Sequence, residues 1–186
     1  IACNLNISPV LMGNVTIWKP ATTAILSNYY LMEVFKEAGL PDGVINFLPG
    51  SGAVISDTVF ASPDFAGVHF TGSTGTFNAF WNTIGKNVGQ YRTYPKIVGE
   101  TGGKDFIFAH KSADSRELAV AILRGAFEYQ GQKCSAASRA YIPKSLWNPT
   151  MTHINEMMKT VKMGDVRDFS NFVNAVIDEK SFDNIA

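Results

Sequence analysis

Apolar and polar positions along this chain follow two periods, and the switches between them mark out the elements. Val15-Thr16-Ile17-Trp18 is a short β-branched and aromatic run that ends at Lys19-Pro20, which predicts a strand. Thr22 or Thr23 then caps a helix expected to run to about Ala38, with Gly39 as its stop and Pro41 just beyond. Ile25, Tyr29, Met32 and Phe35 recur at helical spacing and form its expected buried face. Val44-Ile45-Asn46-Phe47-Leu48 predicts a second strand, followed by Pro49-Gly50-Ser51-Gly52 and a second helix over roughly 53–60, which Ser62-Pro63-Asp64 breaks. Gly67-Val68-His69-Phe70 predicts a third strand, and Thr71-Gly72-Ser73-Thr74-Gly75 leads into a third helix over roughly 77–87.

Strand and helix therefore alternate three times with short links. That is the pattern of an α/β fold, a parallel sheet with helices on both faces. Ligands of such sheets bind outside the carboxyl ends of the strands. Lys19, Gly50, Gly72 and Ser73 all follow strand ends and are expected along one edge. After Gln90 the pattern changes. Lys96-Ile97-Val98 and Phe106-Ile107-Phe108 read as strands flanking a Gly-rich turn that carries Glu100. An amphipathic helix follows, capped by Asp114 or Ser115. Leu118, Ile122 and Ala126 line one of its stripes and Ala119, Leu123 and Phe127 the next, while Glu117, Arg124 and Glu128 face water. The helix ends before Gly131, which leaves Cys134 on a loop ahead of a strand at Arg139-Ala140-Tyr141-Ile142 and a helix from Leu146 to about Thr160.

Composition narrows the class. The 186 residues suffice for one domain or parts of two, and 46% are apolar, enough for a substantial core. Sixteen basic and 16 acidic residues balance, so no electrostatic case exists for a nucleic-acid or anionic membrane partner. The apolar runs are too short for a membrane span. The two cysteines make a poor disulfide framework, so a reducing compartment is expected, not secretion. His69, His110 and His153 are scattered, with no C-x-x-C or H-x-x-x-H spacing to suggest zinc. Ile1 opens without an initiator Met, and Asp178 to Ala186 reads as the first turns of a helix. The sequence is therefore expected to be an internal piece of a longer chain, inactive in isolation and prone to aggregate through unpaired sheet edges.

Gly131-Gln132-Lys133-Cys134-Ser135 and Gly99-Glu100-Thr101-Gly102-Gly103-Lys104 carry the candidate chemistry. A lone cysteine is most often a small buried hydrophobe. The polar neighbours of Cys134 are unlike a core position, and Lys133 would favour its thiolate. Cys3, among apolar residues, is expected to be structural. Glu100 is either a solvated carboxylate or a general base, and Gly102-Gly103 lets the backbone approach closely. A thiol and a carboxylate together suit covalent catalysis at a carbonyl carbon, where a thioester forms and is then hydrolysed. Thr71-Gly72-Ser73-Thr74-Gly75 either caps a helix or binds phosphate through helix N-terminal amides, and it is neither a G-x-G-x-x-G fingerprint nor a Walker loop. Lys19 is either solvated or placed to reach a ribose or phosphate.

Trp18-Lys19-Pro20, Phe70-Thr71-Gly72-Ser73, Gly99 to Lys104 and Gly131 to Cys134 occur in the same order as in the NAD(P)-dependent aldehyde dehydrogenases, and the chain resembles that family over essentially its whole length. Leu11 to Val15, Glu37 to Pro41, Phe127 to Ala136 and Ala175 to Phe182 are similar to its Δ1-pyrroline-5-carboxylate (L-glutamate γ-semialdehyde) dehydrogenase branch. The resemblance implies a Rossmann-like NAD-binding domain over 1–103 and the start of a catalytic α/β domain over 104–186. It implies NAD as cofactor, oxidation of glutamate semialdehyde to glutamate in proline breakdown, a homodimer or higher homo-oligomer, and a bacterial cytoplasm or mitochondrial matrix. Cys134 would attack the aldehyde, hydride would pass to NAD, and Glu100 would activate the water that hydrolyses the thioester. Lys19 would contact the adenosine ribose, and Gly72, Ser73, Thr74, Gly75 and Thr76 would form the loop near the pyrophosphate. Ser135 would help to hold the substrate carboxylate, and the Cys134 N–H would donate to the oxyanion. Asn4 and Asn6 are out of register with the family's oxyanion asparagine. An aldehyde dehydrogenase for another aldehyde, or a non-catalytic homologue used for assembly, shares this scaffold.

Overall fold

A computed structural model describes residues 1–186, which divide into two compact units, Ile1–Thr101 and Gly102–Ala186. The first unit runs α1 (Ala2–Leu11), β1 (Thr16–Trp18), α2 (Ile25–Glu37), β2 (Ile45–Phe47), α3 (Gly52–Phe60), β3 (Gly67–Thr71), α4 (Thr74–Asn87) and β4 (Lys96–Glu100). The second runs β5 (Asp105–Phe108), α5 (Ser115–Phe127), β6 (Ala137–Tyr141), α6 (Lys144–Met158) and α7 (Glu179–Ile185). Every strand pairing is parallel, with helical crossovers between partners, as the alternating pattern predicts. The strands form three separate pairs, β1–β2, β3–β4 and β5–β6, instead of one continuous sheet.

Two apolar clusters hold the first unit. Trp18, Met32 and Ile45 are buried where α2 covers β1–β2, with the Trp18 and Phe47 rings edge to face at 5.1 Å. Phe60, Phe65 and Ile84 are buried where α3 and α4 meet β3–β4, and Phe60 packs edge to face on Phe65 and Phe80, each at 5.0 Å. Burying each such side chain contributes roughly 1.5–3 kcal/mol, and each ring pair about 0.5–1.5 kcal/mol more. The Phe60 carbonyl, at the end of α3, accepts from Asn87 Nδ2 at 3.0 Å and Tyr91 Oη at 2.7 Å, so the helix end is satisfied. In the second unit Leu118, Ala119 and Leu123 of α5 are buried against α6 and β6. Phe127, placed on a buried stripe by periodicity, is 45% exposed, because the chain leaves α5 at that residue.

Several local expectations change. α1 escapes the sequence pattern, since Pro9 lies inside it and no apolar stripe runs along it. Ala2 and Val10 pack it on the Trp18 cluster, and Asn6, which is buried, donates to Ala2 O at 2.8 Å and accepts from Thr16 Oγ1 at 3.4 Å. Cys3 is exposed on α1, not a core residue. Thr22 and Thr23 form a 3-10 turn over Thr22–Ala24, and no side chain caps α2. Tyr29, expected on the buried face of α2, is 46% exposed. Ile17, Val98, Phe106 and Phe108 are strand residues that remain exposed. No helix is long and apolar enough to cross a membrane.

Two measurements check these packing arguments. Thr150 of α6 is 0% exposed and its Oγ1 has no hydrogen-bond partner, so the hydroxyl is desolvated without return. Thr150→Val keeps the shape and is expected to leave stability unchanged or raise it by up to ~1 kcal/mol in urea unfolding. A loss of ~2 kcal/mol or more would overturn that account. Asp114 caps α5, accepting from the N–H groups of Glu117 at 2.9 Å and Arg116 at 2.8 Å, which holds its carboxyl below the usual Asp range. Because the folded pKa is depressed, the stabilisation is present above the unfolded Asp value of about 4 and is lost as pH falls through the lower folded value. Asp114→Ala should lower the thermal midpoint at neutral pH, and the difference from wild type should shrink in acid.

Candidate active site

At the carboxyl end of β3–β4 the structure brings Glu100 beside Gly72 and Ser73. Thr71 pairs with Glu100 in the ladder, and the Gly72 N–H donates to the Glu100 carbonyl at 3.2 Å. Glu100 is thus the last residue of β4 and exposed, not the middle of a free turn. Gly99, beside it, has the Phe77 ring lying where a Cβ would stand, and Phe70 and Phe77 stack at 6.0 Å and 4°. Only glycine lets α4 pack this tightly onto the strand.

Ser73 caps α4, its Oγ accepting from the Thr76 N–H at 3.2 Å and donating to Thr76 Oγ1 at 2.8 Å. α4 begins at Thr74, three residues earlier than periodicity indicates, so Thr74, Gly75 and Thr76 form its first turn and not a loop. The leading N–H groups of a helix have no intrahelical acceptor. A Cβ at Gly75 would meet nothing within 4 Å. These residues fit an anionic pyrophosphate, which a helix N-terminus binds through its amides and dipole. Lys19 follows the other strand pair. Its stem lies 3.8 Å from where a Gly52 Cβ would stand, and its Nζ donates to Pro20 O at 2.7 Å.

Cys134 stands in the second unit, at the amino end of β6, and is exposed with Ser135. A Cβ on Gly103 would lie 2.7 Å from the Cys134 carbonyl oxygen, so the glycine turn seats the cysteine loop backbone to backbone. The ladder slips between Asp105 and Phe106, where Ala137 and then Arg139 are the partners and Ser138 is the extra residue.

The approach to Cys134 is strained. Tyr129, Gln130 and Gly131 all have positive φ, at 53°, 59° and 69°. For the two non-glycine residues this costs on the order of 1–3 kcal/mol each. Nothing in the sequence marks them, since neither is Gly, Asn or Asp. Lys133 does not act as an uncompensated cation beside the thiol. Its Nζ pairs with Glu128 Oε2 at 2.8 Å and sits 5.0 Å from the Tyr129 ring centre. Glu128 also binds Arg124 at 2.7 Å, and these cations, Lys133 first, hold its carboxyl below the usual range. Glu128, expected to face water, is half-buried under them.

Comparison with known proteins gives the family of the chain. The profile of the aldehyde dehydrogenase family matches residues 2–186. The chain belongs to the aldehyde dehydrogenase family. It is 55% identical over 187 aligned positions to the mitochondrial Delta-1-pyrroline-5-carboxylate dehydrogenase of Dictyostelium discoideum, which covers 100% of this chain and 34% of that protein. It superposes on the Delta-pyrroline-5-carboxylate dehydrogenase of Mycobacterium tuberculosis solved with NAD at a TM-score of 0.94, with 49% identity, over 98% of this chain and 34% of the other. The Thermus 1-pyrroline-5-carboxylate dehydrogenase with bound NAD gives a TM-score of 0.89 at 29% identity, over 97% of this chain and 35% of the other. The chain therefore spans about a third of the length of the relatives it matches, at 34% of the first. Within this aldehyde dehydrogenase scaffold, the four short motifs read from sequence fall at two strand ends (Lys19, Glu100), a helix N-terminus (Ser73) and a loop before a strand (Cys134).

Gly103→Ala tests the seat of that loop. The added methyl meets a carbonyl oxygen, not a flexible side chain, so the Cys134 backbone must shift. In the full-length protein this variant should fold and yet show a rate of Cys134 alkylation by iodoacetamide altered by about tenfold or more. A wild-type alkylation rate would show that the contact is not needed.

Proposed function

We propose that the full-length protein oxidises L-glutamate γ-semialdehyde, the open form of Δ1-pyrroline-5-carboxylate, to L-glutamate with NAD, as a step of proline breakdown. The observation that carries this reading is the 55% identity, across the whole chain, to a relative named for that activity. NAD is supported by two similar structures solved with it bound and by the helix N-terminus that α4 places just after β3.

The chain's residues divide the work as follows. Gly72, Ser73, Thr74, Gly75 and Thr76 would line the pyrophosphate site, with the Thr74 and Gly75 amides in the first turn of α4 as its donors, and Lys19 would contact the adenosine ribose. Ser135 helps to hold the substrate carboxylate. The Cys134 thiolate adds to the aldehyde carbon, and the Cys134 N–H donates to the resulting oxyanion. Bound NAD supplies a hydride acceptor. The acyl group is left on Cys134 as a thioester. Glu100 takes a proton from water as its oxygen attacks that carbonyl carbon, and the Cys134 sulfur departs with the carboxylate product freed. Residues 1–103 serve as the cofactor domain and 104–186 as the start of the catalytic domain. The protein works as a homo-oligomer, in the mitochondrial matrix or a bacterial cytoplasm.

NADH formation by the full-length protein tests this. Turnover with glutamate semialdehyde should exceed that with short aliphatic aldehydes, and Cys134→Ala should lower it by on the order of 10³-fold or more. Glu100→Gln should keep a first-turnover burst of NADH while slowing later turnovers by about 10²–10⁴-fold. Turnover with other aldehydes alone would keep the mechanism and overturn the substrate. A folded protein that neither turns over aldehydes nor binds NAD would be a non-catalytic homologue.

A further inference from the structure

The strained turn before Cys134 is not held by its own backbone alone. Gln132 uses both ends of its side-chain amide. Its Nε2 donates to the Tyr129 carbonyl at 3.2 Å, inside the turn, and its Oε1 accepts from the Ile177 N–H at 2.9 Å, 45 residues along the chain. Gln130 Nε2 donates to the Ala175 carbonyl at 2.8 Å. The Ala175 C=O and Ile177 N–H are bonded as a neighbouring strand would bond them, but by two side-chain amides. The receiving segment is itself anchored. Met163 and Val173 form a parallel bridge, and Asn174 Nδ2 donates to Gly164 O at 2.8 Å.

We propose that Gln130 and Gln132 are positioning residues for Cys134: they brace the left-handed turn 129–131 against Ala175 and Ile177, and so set where the thiol stands. The proposal rests on Cys134 being the nucleophile. Left-handed non-glycine residues persist only where their surroundings over-determine them. Here the turn is fastened on one side by Lys133, paired with Glu128 over the Tyr129 ring, and on the other by the two glutamines. The glutamines touch neither substrate nor cofactor in this assignment. They act through the loop, whose far side is seated on Gly103. Without the glutamine brace the turn can relax toward ordinary φ, and the loop carrying Cys134 would move with it.

The test uses the full-length protein and Gln132→Met, which keeps the side-chain length and removes the amide. Expected are a fall in kcat of about ten- to a hundredfold with KM for NAD within about twofold of wild type. Exchange of the Ile177 amide hydrogen should speed up by about tenfold or more. Gln132→Glu retains an acceptor for the Ile177 N–H, so it should restore that protection and recover part of kcat. Wild-type kcat in Gln132→Met, or an unchanged Ile177 exchange rate, overturns the proposal. If Gln132→Met does not fold, the wild-type protein still decides, because an Ile177 amide exchanging at the rate of an unprotected one also overturns it. A wild type that oxidises no aldehyde overturns the reading of Cys134 as nucleophile, whereas the exchange result bears on the brace, so the two failures are told apart.

Discussion

The backbone of Gly103 and the carbonyl of Cys134 share a space that admits no side chain. Much of the second unit's local geometry follows from that approach. β5 starts two residues after Gly103 and β6 three residues after Cys134, so both strands leave from one fastening point. The parallel pair then needs a crossover, which α5 supplies, and the ladder needs somewhere to absorb the loop's close entry, which the extra Ser138 supplies. The loop ahead of Cys134 pays with left-handed backbone at Tyr129 and Gln130, and the ion pair and amides around it hold that strain in place. A site of this kind is positioned by backbone contact first and by side chains second.

Charge beside the thiol follows the same logic. A lysine next to a cysteine invites the reading that it favours the thiolate. Here its ammonium is 2.8 Å from Glu128, so the positive charge near Cys134 is largely cancelled locally. Its geometry serves the turn instead, since Nζ also lies over the Tyr129 ring.

Much of this was legible in the sequence, for identifiable reasons. Alternating strand and helix patterns gave the parallel pairings, because parallel neighbours require crossovers and the crossover helices here are amphipathic. Asp114 was readable as a cap because its short carboxylate reaches the amides two and three residues on. Glu100, Gly72, Ser73 and Cys134 were readable as candidates because glycines and polar residues interrupt apolar runs at those points. Three things were not legible. α1 has no apolar stripe and carries Pro9, and no periodicity reveals the asparagine buried on it. Tyr129 and Gln130 adopt a conformation their residue types disfavour, so only tertiary contacts explain them. The partners of Gln130 and Gln132 lie 45 residues away, beyond any local pattern.

The stretch from Gly99 to Gly103 shows why a glycine motif should be divided before it is interpreted. Gly99 is glycine because the Phe77 ring occupies its Cβ position, which is a demand of packing in the first unit. Gly102 meets nothing within 4 Å, so no steric demand accounts for it. Gly103 is glycine because the Cys134 carbonyl stands there, which is a demand of the second unit. The division between the units falls between Thr101 and Gly102, inside this one motif. A short run of sequence thus ends one core, carries a carboxylate at the end of β4, and starts the strand pair that seats the thiol.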